Sequence, residues 1–342
     1  MMAASEKQKR LEKLTTSRGT VAAIAIDQRR SLRGLMAAAA GVAREQIPDE
    51  KLVEFKRAIA DVLSPYGSAI LFDPEYGMDG AAHRDPNCGL LLAYELDGYE
   101  NPRPHRMLAL MPHLSVRRLA EMGADGVKIL LHYAPHDDAD ANEQKRTLIE
   151  RIGDECVSVG LPFFFEPVVY DPDGTANPNL SPEDAAFDYA KRKPEMVVET
   201  MREFAKPRYN VDILKVEFPV VTSFVEGSDT FSGRAAYSKE EAMKWFQKAD
   251  AAANQPYIYL SAGVKTTEFF ASIRMATEAK TRFSGVLCGR ATWQDSLPVF
   301  MREGREGLYR WLETQGATNI QELNKLLESA TPIQEFASAR KA

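Results

Sequence analysis

The chain has 342 residues, 44% of them hydrophobic and 27% charged, with a formal net charge of −6. This is the composition of a soluble globular protein able to bury a large core, and its acidic balance argues against nucleic acid as the main partner. Cys88, Cys156 and Cys288 stand far apart without C-x-x-C spacing, which excludes a disulfide framework or a thiolate zinc cluster and points to a reducing cytoplasm.

The first 20 residues read as a helical segment, with charges where a signal peptide carries its apolar stretch, and no later run has the length of a membrane span. Short apolar runs rich in β-branched and aromatic residues then recur at 21–27, 68–75, 89–95, 126–133, 162–170, 212–220, 257–263 and 285–291. Helix signals lie between them: Ser115 to Gly123, Ser181 followed by Pro182, and Ser238 with Glu241 in capping-box spacing. The connection after the second run, "YGMDGAAHRDPNC", reads as loop. The one after the third, "ELDGYENPRPHRMLALMP", reads as a long Pro-rich loop placed to lie over a site.

Runs too apolar for a one-sided sheet, alternating with helices, predict a parallel sheet covered on its outer face, and eight of them predict a closed (β/α)8 TIM barrel. An open doubly wound sheet is the alternative, but no G-x-G-x-x-G follows the first run. No linker divides the chain, so residues 1–342 are expected to form a single domain. A helical segment over 316–342 ends it, the apolar spacing of its first half suited to packing on its own barrel or on a partner.

Barrel sites form at the C-terminal ends of the strands. The ionisable candidates there are Asp27 with Gln28, Lys128, Glu166 and Lys215. A lysine inside the apolar run "NVDILKVEFPV" is expected to lose water, which penalises its charged form and makes a neutral amine available. Strand parity puts Lys215 and Glu217 on one face and Leu214 and Val216 on the other, with Asp212 as a strand-entry residue. "SAG" at 261–263 and "GR" at 289–290 supply small residues, free backbone N–H groups and an arginine where barrels hold phosphate. Among the histidines only His132 and His136 have a suggestive spacing. Pro135 between them spoils the helical geometry, so solvated loop histidines are expected rather than a metal site. Cys288 reads as a buried structural thiol.

An amine, a carboxylic acid, a second carboxylate and a phosphate cradle suit metal-free, cofactor-free Schiff-base chemistry on a phosphorylated ketose. Lys215 would be the nucleophile and Glu166 the acid–base group. Lys128 would repel and so depress the Lys215 ammonium, and Asp27 would orient amine or substrate. At these residues the chain resembles the class I tagatose-1,6-bisphosphate aldolase family, from "EKQKRLEKL" to "NIQELNKLL". The resemblance runs through "DQR" (27–29), "DPEYG" (73–77), "GLLLAYE" (89–95), "VKILL" (127–131), "ERIGDEC" (150–156), "PFFFE" (162–166), "DILKVEFPV" (212–220), "YIYLSAGV" (257–264) and "GVLCGRATW" (285–293).

The resemblance implies a Schiff-base role for Lys215 and an acid–base role for Glu166. It implies that Asp27, Gln28 and Lys128 line the site, with Ser261, Gly263, Gly289 and Arg290 on the C1 phosphate and Arg29 towards the distal anionic group. It also implies cleavage of tagatose 1,6-bisphosphate to dihydroxyacetone phosphate and glyceraldehyde 3-phosphate, with laxity towards the C4 epimer. The family pattern has glycine after "DQR"; Arg30 stands there instead and bears on grip of the distal group. Two alternatives stay open. One is a sibling aldolase acting on fructose 1,6-bisphosphate or a modified, for example sulfonated, ketose phosphate. The other is a sugar-phosphate sensor regulating a protein partner. Neither membrane nor nucleic acid is an expected partner, and homo-oligomerisation is left open.

Overall fold

Eight parallel strands close into a barrel in the computed structural model, which describes residues 2–96, 98–172 and 180–339. They are β1 (Val21–Ile26), β2 (Ala69–Phe72), β3 (Gly89–Ala93), β4 (Gly126–Tyr133), β5 (Phe163–Val169), β6 (Ile213–Val216), β7 (Tyr257–Leu260) and β8 (Gly285–Cys288). Each pairs with its sequence neighbour, and β1 closes the ring on β8, with Val21 opposite Gly285. The closed ring rather than the open sheet is therefore the fold. Residue 1, residue 97 of the Pro-rich connection and residues 340–342 of the C-terminal segment lie outside the described residues.

Every strand begins close to its predicted start, while most stop short of the predicted end. The extra residues, such as Asp27, Glu95, Glu217 and Ser261, begin the loops at the barrel mouth. Alternation along each strand sorts the side chains. Ile24, Phe72, Leu92, Ile129, Phe165, Val216 and Tyr259 face the helices in the main core. Val21, Ala23, Ala25, Ala69, Leu71, Leu91, Ala93, Phe164, Ile213, Ile258 and Leu287 fill the interior. Four alanines on β1, β2 and β3 leave the width that the Phe164 ring occupies from β5. Leu14 and Ile333, from the two terminal segments, join the same interior cluster and close its lower end.

Helix α1 (Met2–Lys13) lies across that lower end, with Lys7 paired to Asp212 at 2.8 Å and Arg10 donating to the Ala124 carbonyl at 2.8 Å. Asp212 also accepts from the Phe163 N–H at 2.8 Å, which ties the entry of β6 to β5. Around the ring come α2 (Arg30–Ala40), α3 (Asp49–Leu63), α4 (Met78–His83), α5 (Val116–Glu121), α6 (Ala139–Val159), α7 (Pro182–Phe204), α8 (Lys239–Ala252), α9 (Thr266–Glu278), α10 (Arg290–Trp293) and α11 (Leu297–Trp311). The chain continues through α12 (Ala317–Leu326) to α13 (Ile333–Ala339). Ser115, Ser181 and Ser238 cap their helices, the last in a full capping box with Glu241.

Helix α4 corrects the expectation of a loop over 76–88. Gly80 packs so closely on Phe72 that a Cβ would sit 2.9 Å from the ring, and tertiary packing against α3 overrides a weak local propensity. The C-terminal segment packs on its own barrel, with Leu323, Leu327, Ile333 and Phe336 all buried. No helix among the described residues is long and apolar enough to cross a membrane.

Candidate active site

Inward parity does not stop where the strands stop. Continuing it from Ala25, Ala93, Phe164 and Ile213 reaches Asp27, Glu95, Glu166 and Lys215, and on β4 it passes through Lys128. Glu166 and Lys128 are 0% and 1% exposed, and Lys215 is 4%. Ionised groups so buried need partners, and here they find one another.

Lys215 Nζ lies 2.8 Å from Glu166 Oε1. Lys128 Nζ lies 2.8 Å from Asp27 Oδ2, 2.7 Å from Glu95 Oε1 and 2.8 Å from Glu166 Oε2. The first two are hydrogen bonds, while the third is an ion pair without hydrogen-bond alignment. Two ammonium groups and three carboxylates thus form one continuous cluster across β1, β3, β4, β5 and β6.

Its electrostatics follow from the count. Burial raises the carboxyl pKa of Glu166, but Lys128 and Lys215 outweigh it and hold the group below its ordinary value. Asp27 is held low the same way, with Lys128 ahead of Lys215 among the opposing charges. Lys128 is destabilised as an ammonium by burial, yet Asp27, Glu166 and Glu95 raise its pKa well above the usual lysine value. Its charge is therefore answered by three anions. That differs from the expectation of a lone cation repelling Lys215, and Lys215 itself has a carboxylate at contact.

The β1 end carrying Asp27 is held by a buried lysine. Lys56 of α3, fully buried, donates to the carbonyls of Ile26 at 2.6 Å and Gln28 at 2.8 Å and pairs with buried Asp73. Burial lowers its pKa, Asp73 pulling the other way. Beyond this clamp, Arg29 donates to the Glu95 carbonyl at 2.7 Å, and Arg29 Nη1 and Gln28 Oε1 are buried without a hydrogen-bond partner. They border an opening of about 210 Å³ whose walls include Asp27, Gln28, Arg29, Arg30, Glu95, Tyr99 and Leu130. Arg30 is exposed and pairs with Glu100 at 3.2 Å.

On the other side, the turns after β7 and β8 meet. Gly263 has φ +79°, which favours glycine, and the Arg290 guanidinium packs over it, its Cζ 2.4 Å from where a Cβ would stand. A Cβ on Gly289 would sit 2.9 Å from the Ala25 carbonyl oxygen. The Gly289 N–H points at Ser261 Oγ, 3.5 Å away, and Arg290 has no carboxylate partner among the described residues. Gly263, Lys265 and Arg290 line a cavity there together with Asp295, while Ser261 and Gly289 are buried.

Two candidates take other positions. His132 is no solvated loop residue: it lies in β4, 2% exposed, between the rings of Tyr99 and Tyr170, and burial, then Arg106 and Lys145, push its pKa down to about 4. His136 is exposed and pairs with Glu199 at 3.3 Å. Cys288 is buried as expected, its thiol pushed up to about 12 by burial. Glu217 does not join the cluster; it accepts from the Val169 N–H at 2.8 Å and pairs with Lys193 at 3.2 Å.

Comparison with known proteins gives this geometry a context. The sequence model of the DeoC/LacD family aldolases matches residues 21–295, which is most of the chain. The chain belongs to the DeoC/LacD aldolase family. It is 44% identical over 331 residues to tagatose 1,6-diphosphate aldolase 1 of Enterococcus faecalis, covering 96% of this chain and 97% of that one. To tagatose 1,6-diphosphate aldolase of Listeria monocytogenes it is 42% identical over 323 residues, covering 94% and 92%. A solved structure of a Schiff base-forming fructose-1,6-bisphosphate aldolase shares the fold at TM-score 0.50 and 14% identity, covering 90% of this chain and 99% of that one. Three polar residues of this aldolase's mouth escaped the sequence reading: Glu95, Tyr99 and Lys56. Glu95 was legible from the parity of "GLLLAYE", and Lys56 from its place on the apolar face of α3 beside Leu52, Phe55, Ile59 and Leu63.

Proposed function

We propose that this aldolase cleaves a ketose 1,6-bisphosphate, D-tagatose 1,6-bisphosphate in the first instance, to dihydroxyacetone phosphate and D-glyceraldehyde 3-phosphate through a Schiff base on Lys215. The observation that carries this reading is the contact of Lys215 Nζ with Glu166 Oε1 at 2.8 Å between two buried side chains at the barrel mouth. The names of the relatives from Enterococcus faecalis and Listeria monocytogenes support the choice of sugar.

In this reading Glu166 takes the ammonium proton of Lys215, and the free amine attacks the C2 carbonyl carbon. Glu166 returns the proton to the departing hydroxyl, water leaves and an iminium forms. The carboxylate then accepts the C4 hydroxyl proton as the C3–C4 bond breaks, its electron pair passing into the iminium to give an enamine and free aldehyde. Protonation of the enamine at C3 and hydrolysis release dihydroxyacetone phosphate and restore Lys215. Lys128, neutralised by Asp27 and Glu95, keeps its charge throughout and holds Glu166 and the substrate hydroxyls. Ser261, Gly263, Gly289 and Arg290 take the C1 phosphate, and Gln28 and Arg29, with their unpartnered buried atoms, face the distal half of the sugar. Phosphorylated sugars do not cross membranes unaided, which supports a cytoplasmic site of action.

The test is borohydride trapping with dihydroxyacetone phosphate and mass mapping, run on the wild type and Lys215→Ala. A reduced adduct on the Lys215 peptide, lost in the variant, is the expected result; ligand binding without any adduct would overturn the mechanism. Aldehyde release from a panel of tagatose, fructose and sulfonated ketose phosphates then ranks the substrates.

A further inference from the structure

Tyr99 sits on the long connection after β3, 67 residues before its partner Glu166, and no local pattern announces it. Its hydroxyl donates to Glu166 Oε1 at 3.0 Å, the same oxygen that lies 2.8 Å from Lys215 Nζ. Its ring packs on Leu130, Val168 and Leu260, the apolar layer above the ionic cluster, and the Arg290 guanidinium lies 5.4 Å from the ring centroid. Tyr99 lines the opening described above, whereas neither Glu166 nor Lys215 does.

The connection that carries it is pinned at two places. At its neck the Leu96 N–H donates to the Ala109 carbonyl at 2.8 Å, the Met111 N–H to the Tyr94 carbonyl at 3.0 Å, and Glu95 bridges Leu110. At its far end His105 Nδ1 lies 2.9 Å from Asp137 Oδ1, the Tyr170 hydroxyl reaches the His105 carbonyl at 3.1 Å, and Arg106 stacks 5.0 Å over the Tyr170 ring. His105 and Arg106 both hold φ +49°, a conformation non-glycine residues adopt only when surroundings over-determine it.

We propose that Tyr99 is a positioning residue for the proton transfers of the aldol cleavage, fixing Glu166 Oε1 towards Lys215 and the substrate. This rests on the Schiff-base reading above. A hydroxyl on the carboxylate restricts its rotation, accepts no proton itself, and can turn from donor to acceptor when Glu166 becomes a carboxylic acid. The groups facing this pair are Lys128 and His132 from β4, Lys215 from β6, Asp27 after β1, Glu217 after β6 and Arg290 after β8. Glu166 is already held low by the two lysines, so Tyr99 adds a further hydrogen bond to the ionised form, and its loss moves the Glu166 pKa upwards. Burial, then the Glu166 charge, raises the Tyr99 phenol well above its ordinary value, so it keeps its proton through the working range.

The experiment compares wild type with Tyr99→Phe, which keeps the ring and its packing. Expected are an equilibrium extent of Schiff-base trapping within about twofold of wild type, a fall in kcat of roughly 100-fold from loss of alignment, and an acidic limb of the kcat–pH profile displaced to higher pH. Slower exchange of the C3 proton of dihydroxyacetone phosphate in D2O, followed by NMR, reads the same step directly. An unchanged kcat and pH profile would make Tyr99 an apolar cover only, and an equal loss of trapping and turnover would make it a binding residue; either overturns the proposal. Asp137→Asn, which loosens the far pin, is expected to lower kcat in wild type and to add nothing to Tyr99→Phe. Full additivity speaks against delivery of Tyr99 by the loop. A wild type that traps no ketose phosphate would instead sink the Schiff-base reading, before Tyr99 comes into question.

Discussion

The lower and upper halves of this barrel are built on the same strands with the same inward parity and have opposite chemistry. Below, Val21, Ala23, Ala69, Leu91, Phe164, Ile213 and Ile258 make a dry cluster sealed by Leu14 and Ile333. Above, the next inward positions are Asp27, Glu95, Lys128, Glu166 and Lys215, and they contact one another. On β6 a single residue, Leu214, separates Ile213 from Lys215. The lower half needs only volume and apolarity, which many residues satisfy. The upper half needs each charge answered by a particular neighbour, so its cost and its function reside in the same contacts.

The comparison breaks most visibly at Lys215. Lys215→Ala is expected to lose cleavage on the order of 10⁶-fold, the scale on which removal of a covalent nucleophile acts. It should still fold, because Glu166 keeps Lys128; single-turnover assays beside a thermal melt check both. In Lys128→Met, Asp27 and buried Glu95 lose their counter-ion and Glu166 keeps only Lys215, and a loss of about 3–5 kcal/mol is expected from urea unfolding at neutral pH.

That deficit has a pH signature. Asp27 and Glu166 have folded pKa values below their ordinary 3.8 and 4.5, so in the wild type their contribution is fully present above those values and disappears as pH falls through the folded ones. Removing Lys128 removes the contribution, so the gap between the two proteins should close on acidification. A gap that widens would contradict the assignment of charges.

Arg290→Ala is expected to raise KM roughly 10- to 100-fold with a smaller change in kcat, the worth of a lost charged hydrogen bond to phosphate. Steady-state kinetics with phosphorylated and dephosphorylated ketose separates the two. Ile213→Val is the smallest change. It should cost about 0.5–1.5 kcal/mol in urea unfolding and leave kcat unaltered, although it lies two positions from Lys215. A changed kcat there would mean that the two halves are mechanically coupled.

The contrast also explains what could be read from the sequence. The eight apolar runs and the inward lysines carry a period that survives in one dimension, and the ring and the cluster follow from it. Glu95 shares the inward parity of "GLLLAYE" two positions past the end of β3 at Ala93, yet an acidic residue at the end of an apolar run reads equally as the start of a solvated loop. Tyr99 is set by a loop closing over distant elements, and nothing near position 99 encodes Glu166. Helix α4 is six residues held by contact with Phe72, which short-range propensity does not record.

The seal at the lower end has a practical corollary. Leu14 and Ile333 both join the interior cluster at the lower end of the barrel, so the chain near each of them reaches the face opposite the one where sugar enters. Immobilisation on a support, or fusion to a second enzyme, through either segment therefore leaves the mouth unobstructed. Attachment through the connection that carries Tyr99 would place the tether across the entrance.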